Sequence, residues 1–316
     1  GGTAVGTYEV AITGQGNFTG TASTTFDIAK KPLTADMVTL DAETFTYTGG
    51  MLKPVVTVSD GEGDANIIKT TDYTVKNDGG TEVGEYAVTV SATTTGNYSG
   101  TVIRKFSIVT KGTATFDIAL GTTSVVYDGK AKTPGVTVTD GGVLLTENDY
   151  AVAYADNVNV GTATVTVTGK GNYAGTKTAT FEITPKPLTA EMVTLSATSF
   201  VYNAEMQKPD VTVKDGKTLT ASDYVVTNNG GTHVGTFHVV VDGKGNYAGQ
   251  VDKTFTITQL SIADAVVTLN ELQSYVYDGK AKKPSVREVI AGGVMVPTTG
   301  YTVNYGENVN VGTATV

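Results

Sequence analysis

The 316-residue sequence contains no cysteine and no tryptophan, and it has only two histidines and eight prolines. The absence of cysteine excludes disulfides, thiolate metal sites and cysteine nucleophiles together. No run approaches 18 consecutive apolar residues, and Gly1 to Ala4 show neither the basic region nor the apolar stretch of a signal peptide. The sequence therefore predicts no membrane insertion by this segment and does not itself reveal the compartment.

Charged residues are also scarce, at 17% of the chain, and acidic residues outnumber basic ones by 31 to 22. Binding to a phosphate backbone needs a basic face, which a net charge of −9 does not favour. The charge balance therefore argues against nucleic acid as a partner.

The residues that are abundant are typical of strands and turns. The chain has 57 threonines, 44 valines and 38 glycines. Branching at the β-carbon suits a pleated sheet and restricts side chains in helices, while glycine supplies tight turns. The composition predicts an all-β protein.

Three separate markers recur along the chain at a spacing of 74 to 80 residues. One is the asparagine of a Gly-Asn-aromatic tripeptide, the second is a tyrosine before a turn, and the third is a further tyrosine that keeps the same spacing. They fall at Asn17, Asn97, Asn172 and Asn246; at Tyr47, Tyr127, Tyr202 and Tyr277; and at Tyr73, Tyr150, Tyr224 and Tyr301. A period near 75 is long enough for each repeat to have its own small core.

Within one repeat, apolar and polar residues alternate as in a half-buried strand. In the segment 162–168, Ala163, Val165 and Val167 share one face and threonines occupy the other. A Phe-x-Ile strand ends each repeat, as at Phe181 and Ile183, and turn residues separate strands at intervals of roughly ten. We predict a tandem array of small antiparallel β-sandwich modules of about 75 residues, with about six strands each.

The repeats predict three complete modules between two partial ones. We name 32–110 module A, 111–186 module B and 187–259 module C; residues 1–31 are the first segment, with only the last strands of a module, and 260–316 are the last segment, which stops before those strands. Linkers of two or three residues, two of them with proline, predict semi-rigid connections. Head-to-tail self-association through the two partial modules is a further expectation.

Two features superficially resemble catalytic or nucleotide sites. The Gly169–Gly175 loop contains three glycines, but it joins two strands and offers no helix N-terminus to a phosphate, so a tight turn is the expected structure. His233 and His238 occur in module C alone, and we expect both at the surface, with a general base or zinc pair as the alternative. The sequence predicts no catalytic, cofactor-binding or metal-ligating residue.

Calcium is considered at two places. The string Asp60–Asn66 has oxygen side chains at alternate positions, but it lacks the terminal bidentate Glu of an EF-hand loop and occurs in one module only. The recurring acids Asp36, Glu191 and Asp264 just past the junctions leave open a calcium-stiffened linker. A solvated hairpin tip is the preferred interpretation of the first string.

The repeated tyrosines could form a platform for stacking sugars, but we expect Tyr127, Tyr150, Tyr173 and their counterparts to bury their rings between the sheets, with the hydroxyl reaching a backbone group at the rim. The repeated lysines suggest an amide crosslink, but they occur in turns before prolines and show no crosslinking triad. These positions are Lys130, Lys132, Lys280 and Lys282.

The string Val126–Pro134, with Asn148-Asp149-Tyr150, Asn157–Ala163, the Gly171–Gly175 turn and Phe181-Glu182-Ile183, resembles the tandem Ig-like, YDG-type repeats of surface and secreted proteins of Gram-positive gut and rumen bacteria. The resemblance covers essentially the whole chain, although module C has Asn203-Ala204 in place of the Asp-Gly turn. It implies Ig-like modules in an extracellular protein with a signal peptide and an anchor or enzyme domain elsewhere.

We therefore predict a non-catalytic stalk or spacer of an extracellular bacterial surface protein, with adhesion left open as an additional role. Its receptor or glycan would be bound by other parts of the protein. The alternative is a carbohydrate-binding accessory array of a secreted glycan-degrading enzyme. The strand order, Ig-like or β-grasp-like, stays open at this point.

Overall fold

The computed structural model describes residues 2–61, 68–270 and 274–315. These residues form short strands and four single 3-10 turns, at Ala35–Met37, Thr113–Thr115, Ala190–Met192 and Thr298–Gly300, and no α-helix. No helix in the described part of the chain is long and apolar enough to cross a membrane. The strands are β1 Gly6–Thr13, β2 Thr21–Ile28, β3 Lys31–Pro32, β4 Val38–Leu40, β5 Thr44–Thr46, β6 Val56–Val58, β7 Tyr73–Asn77, β8 Gly84–Ala92, β9 Tyr98–Ser99, β10 Thr101–Val109, β11 Lys111–Gly112, β12 Phe116–Leu120, β13 Ser124–Val126, β14 Val136–Asp140, β15 Val143–Leu144, β16 Tyr150–Ala155, β17 Gly161–Gly169, β18 Tyr173–Ala174, β19 Thr176–Thr184, β20 Lys186–Pro187, β21 Val193–Leu195, β22 Ser199–Val201, β23 Val211–Asp215, β24 Lys217–Thr218, β25 Tyr224–Asn228, β26 Gly235–Gly243, β27 Tyr247–Ala248, β28 Gln250–Thr258, β29 Val266–Leu269, β30 Val286–Ala291 and β31 Val294–Met295.

The same four-stranded sheet occurs three times. Its strand orders are β5-β10-β8-β7, β13-β19-β17-β16 and β22-β28-β26-β25. Two long strands form an antiparallel hairpin, as the alternation predicts, and a third strand extends the hairpin on one side. On the other side, a three-residue strand from early in the repeat pairs with the last long strand in parallel. The all-β prediction is confirmed, and each of the three repeats adds two parallel pairs to its antiparallel strands, the second being β3-β9, β11-β18 or β20-β27.

A second, smaller sheet accompanies each of these. It is formed by β4-β6, by β12-β14-β15 and by β21-β23-β24, while β29-β30-β31 form it in the last segment. Side chains of both sheets share one apolar cluster, as where Phe116 and Val138 of the small sheet meet Val167 of the long hairpin. Each repeat is therefore a small sandwich of two sheets.

The predicted alternation is confirmed at the core. Ala163, Val165 and Val167 are fully buried, and Phe181 and Ile183 are almost fully buried. Burying a large apolar side chain contributes about 1.5–3 kcal/mol, so these few positions supply much of the stability of so small a sandwich.

The chain divides into two compact units. One comprises Gly1–Thr123, Thr133–Asn157 and Thr162–Phe181, and the other comprises Ser124–Lys132, Val158–Gly161 and Glu182–Val316. The module boundaries given above stay a prediction, and the names A, B and C are kept as labels for the repeats.

Candidate functional site

The Gly-Asn-aromatic turn forms a corner that receives a backbone group from the preceding repeat. The asparagine Oδ1 accepts a hydrogen bond from a valine N–H that lies just before a glycine in the repeat upstream. The N–O distance is 2.9 Å at each of three places: Val5 to Asn97, Val83 to Asn172 and Val160 to Asn246. We call this the Asn corner. Gly171 has φ +61°, a conformation that glycine adopts without strain, so the turn needs this residue.

The asparagine amide makes a second contact at two of these corners. The Nδ2 of Asn172 donates to the carboxylate of Glu82, and the Nδ2 of Asn246 donates to Oδ1 of Asn159 at 3.2 Å. One asparagine side chain thus accepts a hydrogen bond from the preceding repeat and donates another to it. The two bonds together restrain the orientation of the asparagine side chain as well as its distance from that repeat.

Aromatic rings close the same junctions. The rings of Tyr47 and Tyr173 meet edge to face with centroids 5.5 Å apart, and those of Tyr127 and Tyr247 do so at 5.7 Å. Tyr47 also packs against the apolar cluster around Phe116, so a side chain of module A helps to cover the core of module B. Such pairs contribute about 0.5–1.5 kcal/mol beyond their buried area.

Beneath each Asn corner lies a group of three side chains, which we call the Lys-Asp-Tyr triad. The lysine comes from the linker and the tyrosine from the Gly-Asn-Tyr turn. The aspartate is the last residue of a small-sheet strand in Asp140 and Asp215, and follows β6 by two residues in Asp60. The triads are Lys31-Asp60-Tyr98, Lys111-Asp140-Tyr173 and Lys186-Asp215-Tyr247.

The geometry of the triads is nearly constant. The shortest Nζ–Oδ distance between lysine and aspartate is 2.6 Å in all three. The tyrosine hydroxyl donates to Oδ2 at 3.1 Å in Asp60 and at 3.0 Å in Asp215, and Tyr173 also hydrogen-bonds to Asp140. Asp140 is the most deeply buried, and it also accepts from the Thr115 hydroxyl.

The triads shift the pKa values of their acids. Hydrogen bonds from the paired lysine are the largest cause that lowers the pKa of Asp60 and of Asp215. Around Asp140 burial is the largest influence and opposes ionisation, but hydrogen bonds from Lys111 and Thr115 outweigh it, so its pKa is also lowered. All three aspartates are therefore charged at neutral pH.

The tyrosines shift in the opposite sense. Burial raises the pKa of Tyr173 to about 12, and the negative charge of Asp140 adds to this effect. Burial followed by the adjacent carboxylate also raises the pKa of Tyr98 and of Tyr247. Each hydroxyl thus stays a hydrogen-bond donor over the physiological range, which fits a structural role.

The last segment replaces the charged pair by an apolar one. At the position of the triad lysine it has Leu260, and at the position of the aspartate it has the buried Ala291. A Cβ atom added to Gly292, which follows Ala291, would lie 3.4 Å from Leu260 Cδ1. The positions of the triad lysine and of the triad aspartate are therefore neighbours in the last segment as well. The lysine and the aspartate are therefore replaced together, as expected if they act as one unit.

The repeats also alternate between two types, which the sequence analysis did not identify. A proline carbonyl accepts a hydrogen bond from an asparagine amide in modules A and C, and from a tyrosine hydroxyl in module B and the last segment. The donors are Asn77, Tyr154, Asn228 and Tyr305. An Asp-Lys ion pair four residues apart is present in both repeats of the second type, as Asp128–Lys132 and Asp278–Lys282. The sequence shows this alternation of asparagine and tyrosine four residues after each tyrosine of the third marker, the set that begins at Tyr73.

The structure also locates the features that the sequence raised as candidates for catalysis, nucleotide binding or metal binding. His233 and His238 are both exposed; His238 Nδ1 lies 2.8 Å from Asp252 Oδ2, and His233 Nδ1 contacts the Thr232 hydroxyl at 2.9 Å. The Gly169–Gly175 loop is the expected turn between strands. Within the ranges that the structure describes, no group of three or more His, Asp or Glu could hold a metal ion. The calcium-like string lies mostly outside the described residues, and the linker-calcium hypothesis stays a prediction.

The repeated tyrosine rings differ partly from expectation. Tyr150 is half-buried, and Tyr277, the counterpart of Tyr127 in the last segment, is 60% exposed against the prediction. Tyr127 and Tyr173 are buried as predicted. Their rings meet a tyrosine of the neighbouring repeat, however, rather than lying only between the sheets of their own repeat. The hydroxyl of Tyr173 reaches an aspartate where a backbone group was expected.

The fold and these junctions define an all-β protein of tandem sandwich modules connected by a repeated corner. Residues 116–187 match the MBG domain, a bacterial repeat-type domain. No curated protein matches the chain. Among solved structures, surface layer protein SbsC domains 1–6 is 17% identical with a TM-score of 0.21, covering 99% of this chain and 53% of that one. The protocadherin gammaB4 extracellular domain is 11% identical with a TM-score of 0.20, covering 84% and 57%. The chain thus spans little more than half the length of either structure.

Proposed function

We propose that this chain is a non-catalytic spacer, a structural repeat segment of an extracellular bacterial surface protein. The observation that carries the proposal is the Asn corner, which recurs with the same 2.9 Å bond between successive repeats. Together with the edge-to-face tyrosines and the triads, it restrains each repeat relative to the one before. A restrained connection is what a spacer needs to set a distance, because a flexible linker only limits it.

The MBG match over residues 116–187 supports a bacterial repeat protein. The Tyr127-Asp128-Gly129 string supports the finer assignment to YDG-type repeats of Gram-positive gut or rumen bacteria. The carbohydrate-binding alternative has less support, because the tyrosines of the junctions are buried against each other.

The junction predicts a measurable restraint on the distance between modules A and B. Because the chain has no cysteine, Ile103→Cys and Thr178→Cys introduce unique spin labels at exposed positions of the two modules. We expect a single narrow distance distribution by pulsed electron paramagnetic resonance. Asn172→Ala removes two hydrogen bonds, worth about 1–2 kcal/mol together, and should broaden the distribution.

The matched control is Asn148→Ala, an exposed asparagine whose backbone lies beside the same turn but whose side chain is not one of the partners in the corner hydrogen bonds, and it should leave the distribution narrow. A distribution as broad in the parent as in Asn172→Ala would refute the spacer proposal.

A further inference from the structure

The last long strand of each repeat is flanked in parallel by two segments from the beginning of the same repeat. In module A, the continuous segment 98–109 contains β9 and β10. At its start β9 pairs with β3, and at its end β10 pairs with β5, both in parallel. The first and last parts of the module are thus joined side by side and point the same way.

Backbone hydrogen bonds hold both parallel pairs. At the start, Lys31 N donates to Asn97 O at 3.0 Å and Leu33 N to Ser99 O at 2.8 Å. At the end, Ser107 N donates to Glu43 O and Tyr47 N to Val109 O, both at 2.9 Å.

Modules B and C repeat the arrangement. The two parallel pairs are β11 with β18 and β13 with β19 in module B, and β20 with β27 and β22 with β28 in module C. The hydrogen bonds Lys111 N to Asn172 O and Lys186 N to Asn246 O occupy the position of Lys31 N to Asn97 O. The arrangement is therefore a property of the repeat and not of one module.

Parallel pairing of the first and last strands determines how tension acts on a module. The chain enters beside the start of the last strand and leaves from that strand's far end. Tension along the chain therefore slides the paired strands past each other. Their interstrand hydrogen bonds lie across this direction, so several must break together, whereas strands pulled apart from one end lose them one by one.

The Lys-Asp-Tyr triad reinforces the same connection. In module A its lysine belongs to the entering segment and its tyrosine to the leaving segment, and Asp60, just after β6, binds both. Sliding β3 along β9 separates Lys31 from Tyr98 and breaks a charge-assisted hydrogen bond, a stronger kind than that between neutral groups.

We infer that each module has a second function, mechanical resistance to tension along the chain, carried by its two parallel strand pairs and its triad. The inference rests on the proposed spacer function and adds that the spacer transmits force without unfolding. Resistance to forced unfolding is set by the unfolding rate and not by the equilibrium stability alone.

The test pulls the same module in two directions within the full chain. Cysteines at the exposed positions Ala29→Cys and Thr110→Cys apply force between the start and the end of module A, in the sliding direction. Cysteines at Thr48→Cys and Thr110→Cys apply force where β5 and β10 both end, and so peel the same pair apart. At one constant force we expect unfolding at least about tenfold slower in the first geometry, a barrier difference of 1.36 kcal/mol or more.

Equal rates in the two geometries, or slower unfolding in the peeling geometry, would overturn the inference. Circular dichroism of both double variants checks that they share the parent fold. The spin-label experiment on the junction is independent of this result, so a spacer that is restrained but mechanically weak would be recognised as such.

Discussion

Replacing Asp140 by alanine should lower the local free energy of unfolding of module B by about 3 kcal/mol, in the range for breaking a buried ion pair. The aspartate side chain is only 7% exposed, and it accepts from the Lys111 ammonium at 2.6 Å and the Thr115 hydroxyl at 2.7 Å. Without the carboxylate, a partly buried ammonium and a hydroxyl lose their acceptor. Hydrogen exchange of the β14 and β19 amides measures this loss within one module of the chain.

The last segment supplies the matched control. The double substitution Lys111→Leu with Asp140→Ala recreates the Leu260 and Ala291 combination that the chain itself uses. Removing both charges leaves no unpaired ion, while the hydroxyls of Thr115 and Tyr173 still lack their acceptor, so most but not all of the protection lost in Asp140→Ala should return. If the double variant exchanges as fast as Asp140→Ala alone, the two residues do not act as one unit.

The sheets could be predicted because their signal is local. Residues two apart along a strand share a face, so the alternation at Ala163, Val165 and Val167 identifies both the strand and its buried side. The same pattern carries no information on strand direction. The three-residue strand β13 is too short to show alternation, and its parallel pairing with β19 depends on residues about 58 positions away.

The junctions could not be predicted from the same reasoning. Asn172 and Asp140 are typical turn residues, so their local context accounts for them without any distant partner. Their actual partners are Val83, 89 positions away, and Lys111, 29 positions away. The predicted burial of the Tyr173 ring is confirmed, because burial follows from hydrophobicity. Its contact with Tyr47 was not predicted, because Tyr47 is a residue of another repeat. Comparison of the repeats, one aligned position at a time, is the signal that would have revealed the triad.

Raising the pH from 10 to 12 should remove about 2 kcal/mol of stability from module B through Tyr173 alone. In the folded chain its pKa is raised from 10.0 to about 12, chiefly by burial and then by the charge of Asp140. Between these pH values the unfolded tyrosine has lost its proton while the folded one retains it, so the unfolded state is favoured increasingly as the pH rises. The contribution is complete below pH 10 and is lost as the pH passes through the folded pKa.

Hydrogen exchange corrected for its intrinsic pH dependence, or urea unfolding followed at module B, gives this loss as a difference between the parent and Tyr173→Phe. The variant lacks the hydroxyl, so it should start less stable at pH 9, by about 1 kcal/mol for the lost hydrogen bond, and then decline less steeply than the parent. Tyr277→Phe, at a ring that is 60% exposed, is the matched control and should follow the parent profile. Parallel profiles for the parent and Tyr173→Phe from pH 10 to 12 would show that the Tyr173 hydroxyl is not held in its protonated form by the triad.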